Sequence, residues 1–110
     1  MGRSDPETSR LKRLAGLDRL IHEPGRLAIM SFLASVEEAD FLFLLDQTGL
    51  TRGNLSSHMT KLEKAGYVRV QKEFVEKLPR TSYRITPEGV TAYRAYRRGL
   101  LASLGEERKG

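Results

Sequence analysis

The spacing of apolar residues divides the first half of the chain into helical segments. Between residues 10 and 48, large apolar side chains recur three and four positions apart, which is the period of one face of an α-helix. Three helices are predicted there: one over 11–22, a second that begins at Pro24, and a third from Phe41 to Gln47. The second is apolar nearly all round, so we expect it to be buried at the centre of the domain.

A tight turn separates the third predicted helix from a fourth. Asp40 can cap the third helix, and Gly49 can supply the left-handed residue that ends it. Thr51 can then cap the fourth helix, which is predicted from Arg52 to Ala65. Its apolar, inward positions are Leu55, Met59 and Leu62. Two short helices joined by a tight glycine turn are typical of a helix-turn-helix.

From Tyr67 onward the apolar period changes to about 2, which is the period of a β-strand. One strand that contains Val68 and Val70, and a second that ends at Ile85, are predicted to form a hairpin. The loop between them is predicted over residues 75–81. A hairpin that directly follows a helix-turn-helix is a wing.

The chain is predicted to end with a helix from Pro87 to about Leu104, because the Thr-Pro-Glu sequence at its start favours helix initiation. The fold class is therefore α+β and mostly helical: a winged helix-turn-helix with a two-stranded wing and flanking helices at both ends. A chain of 110 residues suits one such domain, which we assign to residues 10–105. Residues 1–9 and 106–110 are predicted to be tails, the first of them disordered.

Charge is distributed unevenly along the chain, whose formal net charge is +5. Residues 27–50 contain four acidic residues and no lysine or arginine. Residues 51–110 contain thirteen basic and six acidic residues. This basic second half favours a polyanionic partner such as nucleic acid, although an ordinary solvated surface can also be basic.

The composition excludes several classes of protein. The absence of cysteine excludes disulfides, zinc fingers, thiolate metal sensors and cysteine nucleophiles. The longest uncharged, mainly apolar run, from Leu27 to Val36, is far shorter than the ~20 residues that span a membrane. No phosphate-binding glycine loop and no hydrolase or metalloprotease motif is present. We therefore expect a cytoplasmic protein that is not an enzyme and needs no cofactor.

The fourth predicted helix has an outer face suited to DNA. No acidic residue occurs from Thr51 to Leu62, so the positive end of the helix stays free for phosphate. Short polar side chains on that face can hydrogen-bond to base edges. The alternatives are a merely polar surface, and a winged helix used only as a protein-interaction module, which needs no acid-free helix. The candidate DNA contacts on this helix are Arg52, Asn54, Ser56, Ser57, His58 and Lys61.

The predicted loop of the wing carries two long cations. Lys77 and Arg80 flank Pro79, which stiffens the loop, and we assign both cations to contacts with the DNA backbone or minor groove. Glu76 makes this loop less basic, and charged surface turns are common in proteins. The loop therefore supports the assignment only together with the helix.

Three motifs carry a family resemblance: HEPGRLAIMSFL, NLSSHMTKLEKAGYV and PRTSYRITPEG, in this order over about residues 20–100. The chain resembles winged-helix transcriptional regulators of the ArsR/MarR-like type, and within them the small single-domain group. The resemblance implies a cytoplasmic, dimeric regulator that binds double-stranded DNA sequence-specifically. It also implies that residues 52–61 are the recognition helix, that 77–80 are the wing tip, and that Ser56 and Ser57 contact phosphates and bases.

The chain departs from the metal-sensing members of that group. Those relatives place cysteines on the helix before the recognition helix, where this chain has Phe41 to Leu45. The histidines, His22 and His58, lie far apart in the sequence, so no metal site is predicted. His58 is expected on the recognition helix and His22 at a helix end. The identity of any effector stays open.

The terminal helices carry more apolar surface than a minimal winged-helix core can cover. We therefore predict a homodimer in which these helices pair about a two-fold axis. Gly99, in the last helix, is expected either to allow close helix packing or to mark a frayed end. The residues assigned to dimerisation are Leu14, Leu17, Ile21, Tyr93, Tyr96, Leu100 and Leu104.

Two apolar residues, Leu42 and Phe43, do not fit the inward stripe of the third helix. They are expected either to be packed by the N-terminal helix, which we favour, or to form a small effector or partner surface. Nothing else in the sequence distinguishes the two.

Overall fold

In a computed structural model that describes residues 12–105, five helical segments and three strands follow the order α1–α2–β1–α3–α4–β2–β3–α5. The predicted fold class, an α+β winged helix-turn-helix that is mostly helical, is confirmed. The predicted tails at 1–9 and 106–110 lie outside the described residues. The elements are α1 (residues 12–15), α2 (Pro24–Leu33), β1 (Ala39–Asp40), α3 (Phe41–Thr48), α4 (Arg52–Lys64), β2 (Val68–Val75), β3 (Leu78–Ile85) and α5 (Pro87–Ser103).

Short-range signals set the helix ends. The side chains of Asp40, Thr51 and Thr86 cap α3, α4 and α5, and each accepts a hydrogen bond from the backbone N–H three residues later. Gly49 ends α3 with a left-handed φ of 71°, which a side chain would disfavour. These four predicted caps are confirmed. Together they form the tight turn that sets α4 across from α3.

The first helix is shorter than predicted. Helical structure in the described residues ends at Ala15, and turns follow. Asp18 favours these turns, because its Oδ1 accepts hydrogen bonds from the N–H groups of Leu20 at 2.8 Å and Ile21 at 3.2 Å. The prediction that the helix continues to about His22 is therefore wrong.

The hairpin is longer and its turn tighter than predicted. β2 and β3 pair without interruption over all eight residues of each strand, so only Glu76 and Lys77 form the turn. Both have positive φ, 53° and 70°, as a two-residue hairpin turn of type I′ requires. The predicted loop over 75–81 is therefore wrong, and Arg80 lies on β3 instead of in a loop.

A third strand, β1, completes an antiparallel sheet with the order β1–β3–β2. Ala39 lies opposite Tyr83, and Asp40 lies opposite Ser82. The sequence did not predict this strand, because two residues are too few to show an alternating pattern. The strand connects the start of α3 to the base of the wing.

The core lies between the helices and the inner face of the sheet. The fully buried apolar side chains are Ile21, Ile29, Met30, Leu33, Leu44, Leu55 and Leu62. The inward stripe predicted for α4 is confirmed, and α2 supplies three residues of the core. Ile21 and Tyr96 are also buried in this core and cannot reach a second copy of the chain. Their assignment to the dimer interface is therefore wrong.

The outer side of α3 exposes two large apolar residues. Leu42 and Phe43 are both exposed, and Phe43 stacks at a tilt against Phe32 with 5.3 Å between the ring centroids. Within residues 12–105 nothing covers the two side chains, so the favoured expectation that the N-terminal helix packs them is not met. A partner or effector surface remains the other interpretation.

Candidate nucleic-acid interface

The solvent side of α4 is polar and free of acidic side chains over its first three turns. The helix begins at Arg52, its N-cap Thr51 accepts from the N–H of Asn54 at 3.1 Å, and its first turn contains no acidic residue. Because the opposite side is packed into the core, the short polar residues point to solvent. The predicted contacts that are exposed there are Arg52, Asn54, Ser56, Ser57 and Lys61.

His58 is the exception among the predicted contacts. Its side chain is 15% exposed and packs on the first turn of α2, where a Cβ on Gly25 would lie 2.7 Å from the ring Nε2. Arg26 donates from Nη1 to the ring Nδ1 at 3.1 Å, since a guanidinium can only donate. The predicted place of His58 on the outer face is wrong. The residue instead fixes α4 to α2.

A carboxylate completes this contact. Oε1 of Glu23 lies 3.7 Å from Nε2 of His58, and the same oxygen caps α2 by accepting from the N–H of Arg26 at 2.7 Å. That backbone hydrogen bond is the main reason why the pKa of Glu23 is lowered. Sequence reasoning could not find this set, because His58 and Arg26 are 32 positions apart.

The other end of α4 is held by a tyrosine. Tyr67 follows the helix, and its hydroxyl donates to Oδ2 of Asp18 at 2.5 Å. Asp18 is the residue that also organises the turn after α1. The hydrogen bond to Asp18, with burial and the negative charge, raises the pKa of Tyr67 to about 12. The end of the recognition helix is therefore connected to the N-terminal segment.

Removal of this hydroxyl should lower stability in a pH-dependent way. We expect Tyr67→Phe to reduce the free energy of unfolding by about 1.5–3 kcal/mol at pH 7, because a hydrogen bond to a charged group is lost. The folded pKa of about 12 lies above the ordinary value of 10.0, so this contribution is complete below pH 10 and is lost as the pH rises through 12. Urea unfolding of both proteins from pH 7 to 12 measures it. A difference that stayed constant above pH 10 would contradict the assignment.

The two predicted wing cations have different surroundings. Lys77 lies in the exposed turn at the end of the hairpin. Arg80 lies on β3, where its guanidinium is 3.1 Å from Glu73, 3.5 Å from Asp40 and 3.8 Å from Glu38. Three carboxylates around one guanidinium leave little positive charge for a polyanion. Arg80 instead fixes the base of the wing to the N-cap of α3.

A shallow groove of 290 Å³ joins the wing to α4. Arg52, the first residue of α4, lines one side of this groove, and Pro79 and Thr81 of β3 line the other. The two elements that the sequence predicts to bind DNA therefore form one continuous surface.

The remaining histidine has a structural partner. Nδ1 of His22 lies 2.7 Å from the hydroxyl of Tyr96. Within residues 12–105, no group of three or more side chains is arranged to hold a metal ion. None of the helices described is long and apolar enough to cross a membrane.

Comparison with known proteins gives the family. The model of the winged helix DNA-binding domain matches residues 26–104. An uncharacterized protein from Methanocaldococcus jannaschii is 34% identical over 78 residues, which are 71% of this chain and 85% of that protein.

Solved structures with the same fold are described as transcriptional regulators. A transcriptional regulator homologue from Pyrococcus horikoshii OT3 superposes with a TM-score of 0.80 at 32% identity, over 88% of this chain and 95% of that one. A homodimeric winged helix-turn-helix DNA-binding domain from Mycobacterium bovis shares the fold, with a TM-score of 0.68 at 21% identity over 99% and 97% of the two chains. The resemblance inferred from the sequence motifs is confirmed. The family and the fold are those of a DNA-binding regulator and not of an enzyme, and the chain belongs to the winged helix DNA-binding domain family.

Proposed function

We propose that this protein is a sequence-specific transcriptional regulator that places α4 in the major groove of DNA and the wing on the adjacent backbone or minor groove. The observation that carries the proposal is the exposed, acid-free face of α4. A helix N-terminus without carboxylates attracts phosphate, and short amide and hydroxyl side chains can approach base edges. Such a protein acts in the cytoplasm, where the DNA of a bacterium or archaeon lies.

The exposed residues divide into two groups by chemistry. Asn54 and Ser57 are short and uncharged, which suits base edges or closely placed phosphates. Arg52, Lys61 and Lys77 are long cations, which suit the backbone. Ser56 lies beside them at the edge of the exposed face. The ion pairs of Arg80 make it a positioning residue of the wing in this proposal, in place of the direct backbone contact that the sequence predicts.

Selection of bound duplexes from a random DNA pool tests the proposal. We expect an enriched motif, and we expect Asn54→Ala to weaken binding to that motif by about 1–3 kcal/mol while scrambled DNA is bound almost as before. Lys77→Ala should instead weaken both duplexes and reduce the salt dependence of affinity by roughly 0.9 per contact. If the parent protein bound neither duplex at low salt, the protein-interaction alternative would replace DNA binding.

The same proposal includes a homodimer that pairs along α5. Leu101 and Leu104 expose apolar surface near the end of this helix. Tyr93, Leu100, Leu14 and Leu17 are only partly buried. Gly99 supports close packing, because a Cβ there would lie 2.8 Å from Cδ2 of Leu17. The homodimeric protein from Mycobacterium bovis shares this fold, which agrees with pairing of two copies.

Sedimentation tests the dimer directly. The parent protein should sediment with twice the chain mass at micromolar concentration, and its selected DNA motif should be two-fold symmetric with half-sites about one helical turn apart. Leu101→Gln together with Leu104→Gln should shift the protein to monomer without unfolding it, because both side chains are exposed. A parent protein that stayed monomeric at high concentration and on DNA would refute the dimer.

A further inference from the structure

The end of the wing is apolar although it is exposed. The last two rungs of the hairpin pair Phe74 with Pro79 and Val75 with Leu78, beside the Glu76–Lys77 turn. Phe74 is 75% exposed, Leu78 is 68% exposed and Val75 is 45% exposed. No described residue covers them. We call Phe74, Val75, Leu78 and Pro79 the wing tip.

The apolar side chains of the wing tip lie on both faces of the hairpin. Side chains alternate along a strand, so Phe74 is on the same face as the buried Val68, and Val75 is on the opposite face. A protein partner that packed on a sheet would need one apolar face. A two-stranded ribbon that is apolar on both faces suits a narrow slot with two walls. The minor groove of DNA is such a slot, about 6 Å wide.

The position of the wing tip favours DNA as its occupant. Pro79, the cross-strand partner of Phe74, lines the groove that it shares with Arg52 of α4. The wing tip is therefore continuous with the proposed recognition surface. Lys72 and Lys77 flank the tip with positive charge, while Arg80 is paired with carboxylates. The cations match the phosphates on either side of the groove.

We propose that the wing tip enters the minor groove beside the recognition site as an apolar wedge, in which Phe74 and Leu78 contact sugars and open a base step. Apolar side chains such as phenylalanine, leucine and proline act in this way in other proteins that bind the minor groove. This inference rests on the proposed DNA binding. It adds that the contribution of the wing is mainly apolar, and therefore nearly independent of salt.

The test compares the parent protein with Phe74→Ser/Leu78→Ser, with Phe74→Leu as a control that keeps the apolar bulk. Affinity for the selected duplex is measured at several salt concentrations. The duplex carries 2-aminopurine, a base whose fluorescence rises on unstacking, at successive positions that flank the motif. Thermal unfolding of each variant verifies that the exposed substitutions leave the fold intact.

We expect the double variant to bind roughly tenfold more weakly or worse at every salt concentration, with the same salt slope as the parent. The parent and Phe74→Leu should raise the 2-aminopurine signal at one flanking step, and the double variant should not. Unchanged affinity and no fluorescence change with the parent would overturn the wedge while DNA binding by α4 stood, and would point to a protein partner for the tip. A parent protein that bound no duplex would overturn both proposals.

Discussion

Replacement of Gly89 by alanine should destabilise the fold by about 3 kcal/mol or more, the largest effect that we expect of one added methyl group. Gly89 is buried in the first turn of α5, where its N–H donates to the capping hydroxyl of Thr86 at 3.0 Å. A Cβ at this position would lie 2.2 Å from the carbonyl oxygen of Tyr67 and 2.8 Å from Cγ1 of Ile85. The backbone oxygen cannot move aside alone, because it accepts the hydrogen bond from the N–H of Thr86.

Thermal and urea unfolding of Gly89→Ala measure this loss, and Gly53→Ala is the matched control. Gly53 is also in the first turn of a helix, α4, but its Cβ would meet no atom within 4 Å. Alanine there should raise stability by about 0.5–1 kcal/mol, since glycine disfavours helix interiors. Equal effects at the two positions would show that helix propensity matters more than the contact with Tyr67.

The features that the sequence predicts well are those decided within a few residues. The caps at Asp40, Thr51 and Thr86 each depend on one side chain and a backbone N–H three positions away, and the left-handed Gly49 depends on the absence of its own side chain. The period of the apolar residues then fixes which side of α4 is buried. The helix-turn-helix and the exposed face of its second helix follow from these local rules.

The features that the sequence does not predict depend on residues far apart or on a turn without its usual residues. The hairpin turn uses Glu76 and Lys77 at positive φ, where asparagine and glycine are the usual signals, so a longer loop was the natural prediction. The ion pairs that engage Arg80 arise only when β1 and β2 meet β3. Apolar spacing places Ile21 and Tyr96 on inward stripes, but it cannot tell a core partner from a second copy.

The recognition surface is the place where stability and function should respond in opposite directions. Asn54 is exposed at the third position of α4, where a carboxylate would interact favourably with the positive end of the helix dipole. We therefore expect Asn54→Asp, which hardly changes the shape of the side chain, to raise stability by about 0.3–1 kcal/mol. The same carboxylate would face the negative DNA and lose the amide donor, so affinity should fall on the order of 100-fold on the selected duplex and clearly on scrambled DNA.

Gln71→Glu is the matched control, because it makes the same amide-to-carboxylate change on the sheet face that points away from the helices. It changes the net charge equally, so it should weaken DNA binding only through the long-range field, which salt screens within about 8–10 Å. Urea unfolding and affinity titrations of the parent and both variants at one salt concentration give all the required differences. If Asn54→Asp bound DNA as tightly as Gln71→Glu, Asn54 would lie outside the interface. The first turn of α4 would then have no part in recognition, whatever the rest of the helix contacts.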